Sequence, residues 1–172
     1  MRNKRYFVDM DGVLAKYEFN LPSYDTLYEE GYFLNRPPQE NIVDAVRSMI
    51  SYNYEVFILS AVLIDSEYAL FEKHDWLDRY LPEVNCKHRI FTICGEDKIS
   101  GVPHFDPNYD VLVDDFSGNT KLWKESGGTY VKVSRDTEDA IYESGKHRNV
   151  ISPQMSPDDI VYTILHADNR EV

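Results

Sequence analysis

The feature that most constrains this chain is an apolar run that ends in two acids and a glycine. Residues 6–8 read Tyr-Phe-Val and are followed by Asp9, Met10, Asp11 and Gly12. The run is typical of a buried strand, so the acids are expected at the carboxyl-terminal edge of a sheet, where open α/β folds bind ligands. Two carboxylates this close repel each other unless a cation joins them or one is protonated. Mg²⁺ is the simplest such cation because it prefers oxygen ligands.

The same residues also fit a simpler structure, a turn in which Asp9 and Asp11 only cap the backbone. Gly12 is compatible with both interpretations, because glycine allows a sharp turn and also lets backbone amides approach an anion. Motifs elsewhere in the chain are needed to distinguish the metal site from the simple turn.

Strand-like and helix-like segments alternate along the chain. Apolar runs predict strands over residues 4–9, 56–59, 89–93, 111–113 and 130–133. Helical spacing and capping signals predict helices over 39–52, 65–81 and 120–125, and a last helix that begins at Ser156 and Pro157. This alternation predicts an α/β fold with a five-stranded parallel sheet flanked by helices.

Two segments interrupt the alternation. Residues 15–38 are polar and aromatic and end at Pro37 and Pro38, which break regular structure. We expect a small lid inserted after the first strand, within a single domain spanning 1–172. Its aromatic side chains would either stack on a base or pack on the core. Residues 136–153 are expected to form an ordered surface loop.

Composition excludes several classes of protein. The net charge of −12 argues against a polymeric nucleic-acid partner, and it requires any phosphate site to carry its own local cations. No apolar run reaches the roughly 18 residues of a membrane span, so no membrane partner is expected. Cys86 and Cys94 have neither metal-binding nor CxxC spacing, which predicts a reduced, cytoplasmic setting.

Polar residues follow several of the predicted strands. Ser60 ends the second strand, Lys98 follows the third, and Asp114 and Asp115 end the fourth. Taken singly, each fits a cap, a turn or an exposed side chain. Because the carboxyl ends of parallel strands share one edge, these residues are expected to converge with Asp9.

Together these motifs, which span residues 6–133, resemble the haloacid dehalogenase (HAD) superfamily of phosphohydrolases. That family carries DxDG(T/V) on strand one, Ser or Thr after strand two, Lys near strand three and paired acids after strand four. Within it, the 5′(3′)-deoxyribonucleotidases are similar over short stretches: Gly31-Tyr32-Phe33-Leu34 ahead of Pro37-Pro38, residues 57–60, Asp97-Lys98 and residues 113–115. The resemblance implies a Rossmann-like core with a reduced cap, and Mg²⁺-dependent hydrolysis of deoxynucleoside monophosphates.

The resemblance also implies roles for the acids. Asp9 would be the nucleophile that forms an aspartyl-phosphate. Asp11 would be the general acid for the leaving alcohol and then the general base for water. Mg²⁺ would be held by the Asp9 carboxylate, the Asp11 backbone carbonyl and Asp114, and Asp115 would either support the site or bind the metal through water.

Other residues would hold the substrate. Ser60 and Lys98 would bind phosphate oxygens, together with backbone amides near Gly12 and Ala61. Asn119 would support the site by orienting Asp115. The candidate contacts from the lid are Phe19, Tyr28 and Phe33. The insert is much shorter than in the mammalian deoxyribonucleotidases, and their base-stacking aromatic residues cannot be matched to positions here.

Three alternatives keep part of this chemistry. The substrate could be another phosphomonoester, such as a sugar phosphate or a 3′-phosphate end. A non-catalytic phosphate-binding regulator would keep the fold without turnover, although the complete set of acids, Ser60 and Lys98 speaks against it. A receiver domain also uses acids, a Ser or Thr and a Lys, but Asp-x-Asp-Gly with the second acid pair favours the phosphatase.

Overall fold

A six-stranded sheet forms the centre of the chain in the computed structural model, which describes residues 3–18, 20–134 and 149–168. The strands are β1 (Arg5–Val8), β2 (Glu55–Val62), β3 (Arg89–Ile93), β4 (Asp110–Asp114), β5 (Thr129–Val133) and β6 (Val150–Ile151). Their order is β3-β2-β1-β4-β5-β6, and all pairs are parallel. The predicted α/β class with a parallel, Rossmann-like sheet is confirmed.

The predicted number of five strands is wrong, because β6 adds a sixth. It has only two residues, which pair with Lys132 and Val133 at the end of β5. A strand this short has neither an alternating pattern nor an apolar run long enough to detect. It lies in the segment 136–153, for which we expected a surface loop, and 136–148 of that segment lie outside the described residues.

Helices cover both faces of the sheet. They are α1 (Glu40–Ser51), α2 (Ala69–Tyr80), α3 (Ser117–Glu125) and α4 (Pro157–Leu165), with short 3₁₀ helices at Tyr24–Tyr28, Cys86–His88 and Lys98–Gly101. Buried residues of α1, α2 and α4 form the larger core with one face of the strands. Trp123 of α3 packs on the other face with Phe7, Leu59 and Leu112. The predicted start of α4 is confirmed, since Ser156 accepts a hydrogen bond from the Asp159 amide and Pro157 occupies the first turn.

The insert over residues 15–38 begins and ends close together. The Lys16 amide donates to the Pro37 carbonyl at 2.8 Å, and Ala15 forms an isolated bridge with Pro38. Within the insert, Tyr32 and Phe33 are buried against Val62 and Ala69. The insert is therefore anchored beside the carboxyl-terminal end of β2.

Among the described helices, none combines the length and the apolar character that crossing a bilayer requires.

Candidate active site

Asp9 and Asp114 face each other at the carboxyl-terminal edge of the sheet because β1 and β4 are paired in register. Val8 lies opposite Val113, and the Asp9 amide donates to the Val113 carbonyl at 2.9 Å. Adjacent strands are roughly 4.8 Å apart, so the residues that follow this pair are also neighbours. Asp9 is 7% exposed and Asp114 is fully buried.

The ammonium of Lys98 lies between these two acids. Its Nζ is 2.8 Å from Asp9 Oδ2 and 2.8 Å from Asp114 Oδ2. Lys98 begins the 3₁₀ helix after β3 and is buried. Burial lowers the pKa of Lys98, but the charges of Asp9 and Asp114 outweigh that effect and raise it. The lysine therefore stays charged and supplies the local cation that the sequence required.

Asp114 accepts further hydrogen bonds from the start of α3. Its Oδ1 accepts from the Phe116 amide at 2.7 Å, and its Oδ2 accepts from Asn119 Nδ2 at 2.9 Å. We expected Asn119 to orient Asp115; instead it donates to Asp114. Burial and the charge of Asp9 raise the pKa of Asp114 to about 6, against the opposing effect of Lys98. These hydrogen bonds fix the orientation of the Asp114 carboxylate, whereas burial and the charge of Asp9 disfavour its ionised form.

Three carboxylates at this edge are close enough to share a metal ion. Asp9, Asp114 and Asp115 each offer one oxygen, and these oxygens lie within 4.8 Å of one another. A set of carboxylate oxygens suits Mg²⁺, a hard cation that takes oxygen ligands. The donor set therefore fits the ion expected from the sequence. It brings an oxygen of Asp115 beside those of Asp9 and Asp114, for which the resemblance implied either a supporting role or metal binding through water.

Gly12 allows Asp115 to reach this position. The glycine has φ of +80°, and a Cβ built on it would lie 2.3 Å from Asp115 Oδ2. Any larger residue would be strained and would displace the acid. The Gly12 amide donates to the Ala15 carbonyl at 2.8 Å, so it is engaged within the turn and does not face a phosphate as expected. Gly12 contributes through its conformation.

Asp11 forms an ion pair with Lys73, a residue that the sequence motifs did not indicate. Lys73 of α2 is 1% exposed, and its Nζ is 2.5 Å from Asp11 Oδ2. The same ammonium donates to Ser60 Oγ at 3.1 Å and to the Ala61 carbonyl at 2.5 Å. Lys73 thus connects Asp11 with the end of β2.

Helical spacing was the signal that could have identified Lys73. It lies four residues after Ala69 and four before Leu77, and both of those are fully buried. Leu70 and Phe71 are apolar residues of the same helix, but they are 38% and 69% exposed, so apolar character alone does not mark its buried face.

Ser60 and Ala61 belong to β2 itself. The predicted strand ended at Ser60, but the observed strand continues to Val62, and Ser60 is fully buried. The Ser60 oxygen accepts a hydrogen bond from Lys73, which leaves its single hydroxyl hydrogen for another partner. The phosphate-binding role of Ser60 and Ala61 stays a prediction.

The candidate lid residues have different surroundings. Phe33 is buried, and its ring centroid is 4.9 Å from the Lys73 ammonium. Tyr28 is 39% exposed and its hydroxyl donates to Asp65 at 3.1 Å. Phe19 lies outside the described residues. Phe33 is therefore shown to contact the charged site. Its ring is buried against Lys73 and is not an exposed surface for stacking.

The arrangement places two acids in different electrostatic settings. Asp9 faces Lys98 and the acids that can hold a metal, whereas Asp11 faces Lys73. One carboxylate can thus attack an electrophile near the cations while the other transfers a proton. This division is what phosphoryl transfer through a carboxylate nucleophile requires.

Comparison with known proteins supports the fold. No family model matches the sequence. No curated protein matches it either. Among solved structures, the D,D-heptose 1,7-bisphosphate phosphatase from Burkholderia thailandensis superposes with a TM-score of 0.62 at 14% identity, covering 95% of this chain and 99% of that one. The D,D-heptose 1,7-bisphosphate phosphatase from B. bronchiseptica, complexed with magnesium and phosphate, gives 0.59 at 12% identity, covering 94% and 98%. At these identities the likeness shows a shared fold alone.

Proposed function

We propose that this protein is a Mg²⁺-dependent phosphomonoesterase of the HAD type. The observation that carries the proposal is the pair of buried acids, Asp9 and Asp114, that bond one lysine while Asp115 offers a third oxygen nearby. Packing alone gives no reason to bury acids in excess of their cation at a sheet edge. A phosphate site needs cations and a nucleophile at one place, and the closeness of the Lys98 ammonium to the Asp9 carboxylate supports that assignment.

Two steps would make up the reaction. First, a carboxylate oxygen of Asp9 attacks phosphorus, the bond from phosphorus to the leaving oxygen breaks, and Asp11 gives that oxygen a proton. Water then attacks phosphorus of the aspartyl-phosphate, and Asp11 takes a proton from the water. The Asp9 carboxylate is regenerated and phosphate leaves, so atoms and charges balance over the cycle.

The cations would lower the barrier in both steps. Lys98 is held 2.8 Å from Asp9, so it is placed to offset charge on the phosphoryl oxygens near the nucleophile. Asp9, Asp114 and Asp115 would hold Mg²⁺, with the Asp11 backbone carbonyl as a further ligand. The ion supplies positive charge that lets an anionic substrate approach an anionic nucleophile. The heptose bisphosphate phosphatase from B. bronchiseptica was crystallised with magnesium and phosphate, which supports this cofactor.

A deoxynucleoside monophosphate is the substrate that the sequence motifs favour. The stretches around residues 31–34 and 57–60 are similar to the 5′(3′)-deoxyribonucleotidases, and the aromatic insert lies beside the end of β2. Phosphate release would leave a nucleoside. Phe33, which contacts Lys73, is the insert residue best placed to influence the substrate.

A sugar phosphate is the second candidate. Both solved structures reported above act on a sugar bisphosphate, and they cover nearly the whole chain. The short insert also leaves less cover for a base than a full cap would. The chemistry proposed for Asp9 and Asp11 is the same for both substrates.

A panel of phosphomonoesters distinguishes these substrates. We would measure kcat/KM with Mg²⁺ for deoxynucleoside 5′- and 3′-monophosphates, sugar monophosphates and sugar bisphosphates, using Asp9→Asn as the control. A nucleotidase should prefer the nucleotides by at least about tenfold, since specificity is a difference in transition-state binding. Turnover confined to sugar phosphates would favour the second candidate. Absence of turnover across the panel would contradict the phosphatase proposal.

A further inference from the structure

Helix α2 carries two adjacent buried charges that contact different parts of the molecule. Glu72 is 6% exposed and Lys73 is 1% exposed. Burying a charged side chain costs free energy unless it is hydrogen-bonded or paired. The partners of Glu72 and Lys73 therefore indicate what these two residues hold in place.

Glu72 holds the backbone of the insert. Its carboxylate accepts hydrogen bonds from the amides of Gly31, Phe33 at 2.9 Å and Leu34 at 3.2 Å. These three donors lie on one turn, in which Gly31 has φ of +85°. Charged acceptors make the stronger kind of hydrogen bond, so Glu72 fixes this turn to α2.

Lys73 holds the acid of the proposed reaction. An ammonium has three N–H donors. Those of Lys73 have Asp11, Ser60 and the Ala61 carbonyl as partners. With its donors engaged by the protein, Lys73 has none left for a phosphate. It is therefore a positioning residue for Asp11.

Phe33 connects the two charges. Its backbone is bound by Glu72, and its ring centroid lies 4.9 Å from the Lys73 ammonium. That distance is within the range of a cation–π contact, which strengthens when water is excluded. The turn that Glu72 holds thus covers the cation that holds Asp11.

We propose that Glu72, Phe33 and Lys73 form a chain of contacts through which the insert sets the position of Asp11. The inference rests on the proposed function, because it concerns the proton transfer assigned to Asp11. Without Lys73, the Asp11 side chain would be free to adopt other rotamers. A displaced acid protonates the leaving group less effectively.

The test compares two substrates that differ in their need for an acid. The oxygen of p-nitrophenyl phosphate departs as a stabilised anion, whereas that of glycerol phosphate needs a proton. We would measure kcat/KM for both, because this parameter reports the first, acid-assisted step. In Lys73→Met we expect the ratio of the aryl to the alkyl value to rise by about tenfold or more, since acid catalysis contributes about 10²–10⁴-fold.

A second variant and a control complete the design. Phe33→Leu keeps an apolar side chain but removes the ring, so the same ratio should rise by about threefold. Asp75→Asn changes an exposed residue of the same helix and should leave the ratio unchanged. If Lys73→Met does not fold, as judged by circular dichroism, Phe33→Leu decides.

The outcomes separate this inference from the proposed function. Wild-type turnover with an unchanged ratio in the folded variants would overturn the contact chain alone. Equal losses on both substrates would also overturn it, because a purely structural role affects both alike. Failure of the wild type to hydrolyse these two substrates and every phosphomonoester of the panel above would overturn the proposed function and this inference together.

Discussion

Strands β1 and β4 pair charged residues at both of their ends, and the two ends differ in how the charges are matched. At the amino-terminal end, Arg5 lies opposite Asp110 and donates from Nε at 2.7 Å and from Nη2 at 2.6 Å. At the carboxyl-terminal end, Asp9 and Asp114 both bond the ammonium of Lys98. One end pairs one acid with one base, and the other pairs two acids with one base.

This difference separates a structural ion pair from a site. The hydrogen bond with Asp110 raises the pKa of Arg5, so the balanced pair favours its charged form. Burial and the Asp9 charge raise the pKa of Asp114 to about 6, so the unbalanced end disfavours its own charge. Buried carboxylates in excess of their cations lower the free energy of unfolding. A bound divalent cation would offset that cost.

The largest effect should come from the unbalanced end. We expect Asp9→Asn to lower kcat by about 10⁴-fold or more, because an amide oxygen cannot replace the carboxylate nucleophile. The fold should survive, since the substitution removes one of two acids that repel each other. Steady-state kinetics and a thermal melt check both statements. Activity persisting in this variant would remove Asp9 as the nucleophile.

At the balanced end, a substitution should lower the stability of the fold and leave turnover unchanged. Arg5→Met leaves the fully buried Asp110 without its guanidinium partner and should cost about 3–5 kcal/mol of unfolding free energy. Urea unfolding measures this loss, and kcat of the remaining folded enzyme should be unchanged. Lys121→Met breaks an exposed pair with Glu125 and should cost less than about 1 kcal/mol. Equal losses in the two variants would contradict the distinction between buried and exposed pairs.

The pH dependence of the unfolding free energy should show that ionisation of Asp114 destabilises the fold. Because the folded pKa of about 6 lies above the ordinary aspartate pKa of 3.8, the stability that Asp114 contributes is fully present below about pH 4 and is lost as pH rises through about 6. Asp114→Asn removes this titration. In the presence of a chelator, we expect the variant to gain about 2–3 kcal/mol relative to wild type between pH 4 and pH 7.

Urea unfolding at several pH values gives the two stability curves. Their difference reports the titration of Asp114 together with its electrostatic coupling to Asp9 and Lys98, because carboxylates away from this group titrate alike in both proteins. A difference that is flat across this range would mean that Asp114 is not destabilised by its neighbours.

The smallest effect should come from a residue that only orients an acid. Asn119 donates to Asp114 Oδ2 at 2.9 Å, so Asn119→Ala should weaken Mg²⁺ binding by about tenfold without abolishing it. Titration calorimetry with Mg²⁺ measures the affinity. Asn108→Ala, at an exposed position, is the control and should bind as wild type does. Unchanged affinity in Asn119→Ala would show that Asp114 does not depend on this bond.

Much of this edge could be predicted because its residues follow apolar strands. The runs that end at Val8 and Val113 pair in register, which brings Asp9 and Asp114 together. The convergence of Lys98 followed from the same rule for parallel strands. The distances that decide which acid each lysine contacts depend on side-chain packing, which a single sequence does not contain.

The rest could not be predicted for identifiable reasons. A lysine in a polar stretch of an amphipathic helix is normally exposed, whereas here Lys73 is buried and the apolar Leu70 and Phe71 of the same helix are exposed. Strand β6 is too short to leave a pattern. The Gly12 amide is engaged by Ala15 because the turn closes on itself, a local bond that the motif does not reveal.

The most direct test is a crystal structure with saturating Mg²⁺ and beryllium fluoride, a mimic of the phosphoryl group. We expect a metal ion bound by Asp9 and Asp114 oxygens at about 2.0–2.1 Å, and the mimic attached to Asp9. Lys98 should then face the mimic as well as the acids. A structure in which Asp9 and Asp114 bond only Lys98, with the ion and the mimic absent from this edge, would contradict the account.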